Sequence, residues 1–337
     1  MIPVIPPIDP KSLKKELTKS HFLRPTNKAH NEIYIVDSAT APHVMAEIGR
    51  LRELSFRSWG GGSGNQLDTD EYDYLQKPYQ QLIVWNPDDN EIVGAYRFLA
   101  GADAEFDENG QPHLTMGHLF KFSQRFIQEY LPYTVELGRA FVQPKYQSSA
   151  MGMKSLFALD NLWDGLGALI HEIKDAKYFV GKVTIYQNYS LLSRNLIFAY
   201  LRRYCPDPDQ LITPNKPTPI SEEHRRVANA LFRNKNAADG YKALQKAVRA
   251  DNQTIPPLIN AYVGLTETMR SFGTIYDATF GNVFETGIMI TIPDLLEVKQ
   301  KRYIEPYINY LRIILEEQKR KRQLARARKK EAQERTK

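Results

Sequence analysis

Three arginines and three carboxylates recur in order through the first half of the chain: Arg52, Asp70, Asp73, Arg97, Glu136 and Arg139. Only a fold brings side chains together over such separations, and two outcomes are chemically useful. The charges can close a buried or half-buried ion network, which orders a loop more than it stabilises a fold because desolvation offsets much of the attraction. One arginine can instead grip a carboxylate in a bidentate fork. Read alone, Asp68, Asp70 and Asp73 are a solvated acidic loop; the arginines supply partners for them. Other chemistries find less support. The seven histidines are scattered without an H-E-x-x-H helix pattern, so His113 and His118 read as surface or packing residues and no metal is indicated. Ser63 lacks the G-x-S-x-G surround because Asn65 replaces the last glycine, and no Walker loop occurs.

These residues need elements to hold them. Glu32 to Asp37 alternates as a strand does, and Val44, Ile48 and Leu51 recur at helical spacing between Ala41 and Phe56, which puts Arg52 on a helix. Trp59-Gly60-Gly61-Gly62-Ser63-Gly64 is a flexible loop that leads into the acidic stretch. Gln81 to Trp85 and Glu91 to Ala100 read as strands joined at the turn-rich Asn86 to Asn90, a hairpin that carries Arg97. Thr134 to Val142 is a strand bearing Glu136 and Arg139. An amphipathic helix from Met151 to Ile173 and a β-rich segment from Tyr178 to Thr184 follow it, as in a crossover unit. Ser190 to Cys205, Ser221 to Asn234 and Ala237 to Ala250 read as helices, Phe284 to Ile292 as a late strand, and Tyr303 onward as a helix. Residues 1 to about 30, rich in proline and lysine without periodicity, read as an extended arm laid over the core.

A chain of 337 residues, 42% hydrophobic and 25% charged, suffices for one large core or two modest ones. Cys205 is the only cysteine, which excludes an intrachain disulfide and a cysteine-ligated zinc site and fits a reducing cytoplasm. The start, Met1 to Pro7, does not read as a signal peptide, and no apolar run approaches the ~18 residues of a spanning helix. The net charge of +6 is uneven: Lys319 to Lys337 holds ten Lys/Arg against two Glu, a surplus of +8, leaving −2 for the rest. Such a tail is drawn to polyanions, either lipid headgroups or nucleic acid.

Four pieces, Leu51-Arg52-Glu53-Leu54-Ser55-Phe56, Asp70-Glu71-Tyr72-Asp73, Gly94-Ala95-Tyr96-Arg97-Phe98-Leu99 and Glu136-Leu137-Gly138-Arg139-Ala140-Phe141-Val142, resemble in order and spacing the acyl-homoserine-lactone synthases. They look still more like the N-acyltransferases of the GNAT superfamily that make lyso-ornithine and lyso-glycine lipids from acyl carrier protein. Ile255-Pro256-Pro257-Leu258-Ile259-Asn260-Ala261-Tyr262, Asp277-Ala278-Thr279-Phe280-Gly281 and Lys301-Arg302-Tyr303 resemble the C-terminal signature of these aminolipid enzymes, so the likeness covers roughly residues 32 to 305.

The resemblance implies an α/β fold: a GNAT-like mixed central sheet flanked by helices, with helical and β C-terminal additions. It divides the chain into an arm (1–31), a catalytic core (32–205), a helical insertion with a strand that completes the fold (206–305) and a basic helix or tail (306–337). An amine attacks a thioester only when unprotonated, so Glu136, on the strand that would bear the thioester, is the expected general base, directly or through water. The competing reading pairs it with Arg139 or Arg97. Phe141, Val142 and the loop Gln147-Ser148-Ser149-Ala150-Met151-Gly152 are expected at the phosphopantetheine arm of acyl carrier protein or acyl-CoA. There, backbone N–H groups at a helix N-terminus cradle its phosphate. The loop fits the pattern Q/R-x-x-G-x-G/A except that Ala150 replaces the first glycine. Ser148 or Ser149 could equally be a plain N-cap. Neighbouring strands are expected to splay and admit the arm, a backbone N–H to polarise the thioester oxygen, and Tyr186, Tyr189 or Ser190 to protonate the departing thiolate.

The reaction implied is acylation of the α-amine of an amino acid such as glycine or ornithine with a long 3-hydroxyacyl chain. The enzyme would be cytoplasmic, its basic tail at the anionic inner membrane surface. Rival readings are an autoinducer-type synthase, opposed by the C-terminal signature, and a non-catalytic protein using the tail on nucleic acid or membrane. Nucleic acid is disfavoured because the tail lacks interleaved aromatics and the remainder is nearly neutral.

Overall fold

A computed structural model describes residues 2–148 and 152–334. In chain order the elements begin with α1 (Pro10–Glu16), β1 (Phe22–Pro25), β2 (Glu32–Val36), α2 (Pro42–Arg57), β3 (Gln80–Asn86) and β4 (Glu91–Ala100). There follow β5 (Phe120–Phe122), β6 (Thr134–Val142), α3 (Pro144–Gln147), α4 (Met153–Glu172), β7 (Tyr178–Ile185), α5 (Leu191–Tyr204) and β8 (Ile212–Pro214). The C-terminal third adds α6 (Glu222–Leu231), α7 (Ala237–Ala250), α8 (Pro257–Val263), β9 (Arg270–Asp277), β10 (Val283–Thr291), α9 (Glu297–Tyr303) and α10 (Glu305–Glu334).

Eight strands form one sheet in the order β1-β2-β3-β4-β6-β7-β10-β9. Every neighbouring pair is antiparallel except β6 and β7. That pair is parallel because α4 carries the chain back across the sheet between them, as a parallel connection requires. The result is the mixed sheet flanked by helices that the sequence implied.

Alternation along the strands divides side chains between two faces. Leu82, Tyr96, Phe98, Val135, Leu137, Val183 and Ile288 point to one face, where they pack with α4, α5 and the helices behind α5 in the largest apolar cluster. Ile83, Ala95 and Phe141 point to the other, under α1 and α2. Helix α2 seats Val44, Ile48 and Leu51 there, all nearly inaccessible, each contributing about 2 kcal/mol of apolar burial. Leu99, Val180 and Met289 face a third cluster further along the same face. Between these two clusters the second face is polar, and the candidate site lies in that band.

Three departures from the sequence expectations have local causes. The arm is not wholly extended: Asp9 caps α1 by accepting from Lys11 N at 3.2 Å, and β1 pairs with β2 as the sheet edge. Strand β9, absent from the sequence reading, is interrupted by Gly273 at φ 89° and pairs with β10 through an irregular register, so it carries no clean alternation. Gly152 at φ 55°, rather than Ser148 or Ser149, occupies the N-cap of α4.

Candidate active site

Strands β6 and β7 pair from Thr134↔Tyr178 to Leu137↔Gly181 and no further, although both continue. At that point β6 bulges away: its register with β4 shifts between Ala95 and Arg97, and Arg139 sits at φ 49°, a conformation costly for a residue with a Cβ. From Gly138 to Ala140 the strand passes from buried to partly accessible. This is the expected splay.

The face beside the splay carries a row of polar side chains on successive strands. Gln81 on β3 lies opposite Arg97 on β4, and Arg97 lies opposite Gly138 on β6. Glu136 follows on β6, Lys182 and Thr184 on β7, and Glu285 on β10 directly opposite Thr184.

At the β3–β4 end the charges close into the network anticipated from the sequence. Arg52, wholly buried on α2, donates to Asp73 Oδ2 at 3.1 Å, to the Asp68 carbonyl at 3.3 Å and to Gln81 Oε1 at 2.5 Å. Arg97 donates to Asp70 Oδ1 at 2.5 Å and lies 3.2 Å from Asp73 Oδ2. Arg139 Nε lies 2.9 Å from Asp68 Oδ2, without the alignment of a hydrogen bond, and its guanidinium caps the Phe280 ring at 4.4 Å. The loop locks itself as well, Asp70 accepting from Tyr72 N and Asp73 from Asp70 N. Burial acts to raise the Asp73 carboxyl, but Arg52 and Arg97 outweigh it and hold it down at about 2. At Asp68 burial outweighs Arg139, Arg52 and Arg97, and the carboxyl is raised.

Glu136 joins neither arginine. It is 1% exposed, and each of its oxygens accepts two hydrogen bonds. Tyr79 Oη and Thr115 N (3.1 Å) reach Oε2, while Thr115 Oγ1 and Met116 N (both 2.8 Å) reach Oε1. The carboxylate thereby ties the 114–116 segment to the sheet.

A second carboxylate, which sequence reasoning did not single out, builds the glycine loop. Glu53 accepts from Ser63 N, Ser63 Oγ, Gly64 N and Arg57 Nε at 2.6–3.0 Å. Burial raises its carboxyl, and these donors outweigh burial to lower it. So held, the loop lies against the β9–β10 turn: a Cβ on Gly281 would meet Gly61 Cα at 2.7 Å, and one on Gly61 would meet the Tyr186 ring at 2.9 Å. Trp59 stacks on Tyr186 at 6.4 Å and donates to Gln147 Oε1 at 3.3 Å. The glycine loop, Tyr186 and the segment after β6 therefore meet.

Of the residues expected at the phosphopantetheine arm, Phe141 packs under α2, and Val142 O accepts from Gln147 Nε2 at 2.5 Å. Ser148 ends α3 and donates its N–H to Lys145 O at 3.4 Å, and Gly152 begins α4. Ser149, Ala150 and Met151 lie outside the described residues. Among the three candidates for protonating the thiolate, Ser190 is committed to capping α5 and to Asp251. Tyr186, just past the end of β7, lies against the glycine loop, its hydroxyl raised by burial and by Glu285.

Lys182 and Glu285 were also missed. Their signal is a lone charge inside an apolar run, Phe179-Val180-Gly181-Lys182-Val183 and Val283-Phe284-Glu285-Thr286-Gly287-Ile288.

With the geometry in hand, comparison with known proteins places the chain. Residues 51–156, which contain the network, match the family model of the acetyltransferase (GNAT) domain. A glycine N(alpha)-acyltransferase of Phocaeicola vulgatus is 50% identical over 90% of this chain and 93% of its own. A glycine N(alpha)-acyltransferase of Bacteroides thetaiotaomicron is 49% identical over 90% of both chains. Among solved structures, the CoA-dependent acyl-homoserine lactone synthase BjaI matches at 12% identity and a TM-score of 0.29, covering 59% of this chain and 88% of that one. Half of its residues being shared with these relatives over nearly its whole length, the protein belongs to their family of GNAT-type N-acyltransferases.

Proposed function

We propose that the protein transfers a long 3-hydroxyacyl chain from a phosphopantetheine thioester, on acyl carrier protein or CoA, to the α-amine of glycine, giving a lyso-aminolipid. The observation that carries this reading is the parting of β6 from β7 after Leu137↔Gly181 beside a row of buried polar groups. A thioester entering there would present its carbonyl to the backbone of the Gly138–Ala140 bulge and its sulfur toward Tyr186. Amine attack forms the C–N bond, the C–S bond breaks, and the thiolate takes a proton from Tyr186. The Arg52–Asp73 and Arg97–Asp70 contacts hold the loop over the acceptor, and Arg139 sits at its edge. Gln147, Ser148 and Gly152 flank the segment through which the phosphate would be bound. Glu136 is a candidate for the amine's proton, but with two donors on each oxygen it accepts one only if a donor swings away. The names of the two relatives support glycine as acceptor.

The reading is tested by incubating the purified protein with 3-hydroxyacyl carrier protein or 3-hydroxyacyl-CoA and a panel of amino acids, then identifying products by mass spectrometry. N-acylglycine is the expected product. No N-acyl amino acid in any combination would overturn the reading, and a lactone product would favour the autoinducer-type alternative.

A further inference from the structure

The polar row continues beyond the arginine network, and its far end has no structural explanation. Lys182 is the first β7 residue past the last pairing with β6, and Glu285 stands two positions along on the neighbouring strand, opposite Thr184 and on the same face. Opposite charges so placed ordinarily close on each other. Here no ion pair joins them within 4.0 Å among the described residues. Among the described residues Lys182 Nζ has only long contacts, 3.5 Å to Thr115 O and 3.5 Å to His118 Nε2. Glu285 is 4% exposed; its Oε1 accepts from Thr184 Oγ1 at 3.0 Å, while its buried Oε2 has no hydrogen-bond partner among the described residues. An unpaired buried carboxylate oxygen is expensive.

Neighbouring charged groups are already engaged. Asp277 accepts from Thr279 N at 2.8 Å and Thr279 Oγ1 at 2.6 Å, and its other oxygen lies 3.7 Å from His118. Arg139 is held by Asp68 and Asp70 over Phe280. A separated ammonium and carboxylate complement a zwitterion, whose own opposite charges are one carbon apart in an α-amino acid. The titration tendencies agree with the geometry. Burial lowers the Lys182 ammonium against the attraction of Glu285, and burial raises the Glu285 carboxyl against that of Lys182.

We propose that Lys182 and Glu285 form the acceptor pocket, the Lys182 ammonium binding the carboxylate of the amino acid and Glu285 Oε2 taking a proton from its ammonium group. This assignment rests on the N-acyl transfer reading above. The ammonium gives one proton to Glu285, which later releases it to solvent. The freed nitrogen lone pair forms the C–N bond at the thioester carbon. Collapse of the adduct breaks the C–S bond and the thiolate takes the Tyr186 proton; the second nitrogen proton, released through solvent, restores the Tyr186 hydroxyl. The products are the N-acyl amino acid, the thiol and one proton.

The test compares glycine with glycinamide, which keeps the amine and lacks the carboxylate. Wild type is expected to favour glycine in kcat/KM by roughly 10- to 100-fold, the range of one charged hydrogen bond. Lys182→Met should erase that preference by raising KM for glycine while KM for the acyl donor stays unchanged. Lys182→Gln, which keeps a donor without the charge, is read in the same way should the Met variant fail to fold. Glu285→Gln preserves the bond from Thr184 and should lower kcat with both acceptors by roughly 10²- to 10⁴-fold, with the acid limb of the kcat/KM profile lost. Equal use of glycine and glycinamide by wild type, full preference in a folded Lys182 variant, or wild-type turnover in Glu285→Gln would each overturn the assignment. If wild type makes no N-acyl amino acid at all, the transferase reading fails first, before any variant is read.

Discussion

Arg97 Nη1 lies 2.5 Å from Asp70 Oδ1 and so ties a residue in the middle of the sheet to the loop that covers it. Arg97 is 2% exposed and Asp70 28%, so the pair spans the boundary between core and surface. Asp73 sits beneath, shared between Arg97 and Arg52.

That sharing makes Asp73 the member whose loss costs most. Asp73→Ala leaves Arg52 buried without its carboxylate, and a cost of about 3–5 kcal/mol follows from breaking a buried pair on one side. Arg52→Met with Asp73→Leu should cost less than the two single changes summed. Urea denaturation of the four proteins gives the coupling directly, and additive losses would show that the two side chains act independently.

The same residue predicts a pH dependence. Its folded carboxyl is depressed, from 3.8 to about 2, so the stability it supplies is complete above about pH 4 and is lost as pH falls toward 2. The amount is on the order of 2 kcal/mol. Asp73→Asn should therefore flatten the fall of the urea midpoint between pH 4 and pH 2. An unchanged slope would mean that Asp73 is not held ionised in the fold.

Glu136→Gln introduces an amide NH₂ where four donors already converge. Two of them would then face a donor, and we expect a loss of about 2–3 kcal/mol. Comparison with Glu285→Gln separates a structural carboxylate from a reacting one. The first should lower Tm and the second should lower turnover with little change in Tm. Wild-type stability in Glu136→Gln would show that its four contacts are not maintained in solution.

At Gly281 a Cβ would sit 2.7 Å from Gly61 Cα and 2.9 Å from Gly60 O, on backbone that cannot turn aside, and its φ of 77° is itself unfavourable for alanine. Gly281→Ala is expected to lift the glycine loop from Tyr186 and to lower kcat/KM at least tenfold while the far side of the sheet stays protected in hydrogen exchange. Wild-type kinetics in this variant would mean that the loop need not close on the turn.

The tail concerns location rather than chemistry. Helix α10 exposes Ile313 (57%), Leu315 (56%) and Leu324 (51%) beside its run of lysines and arginines. No helix among the described residues is long and apolar enough to cross a membrane. Each nearby basic residue can contribute ~1 kcal/mol at an anionic surface, weakening with salt. Deleting residues 319–337 should release the protein from anionic liposomes and leave turnover of soluble substrates intact. Equal sedimentation of full-length and truncated protein would sink the proposal.

Much of this protein is settled by local sequence. Helix α2 follows from the spacing of Val44, Ile48 and Leu51, and β6 from the β-rich run between Thr134 and Val142, because periodicity of burial is a property of the chain itself. The alternation of Arg52, Asp70, Asp73, Arg97 and Arg139 likewise foretold a network, since unlike charges on elements that must pack have few other destinations. Which arginine meets which aspartate was open until register set it: Gln81 opposite Arg97 brings Arg52 and Asp73 to one point, and the Arg139 bulge carries that side chain to Asp68. The placement of Glu136 could not be read either, because its four donors come from residues 79, 115 and 116, far away in the chain. The same holds for Lys182 and Glu285. A single charge in an apolar strand says only that something must compensate it. Partners lie on other strands, and their distances are decided by how β7 leaves β6 and joins β10.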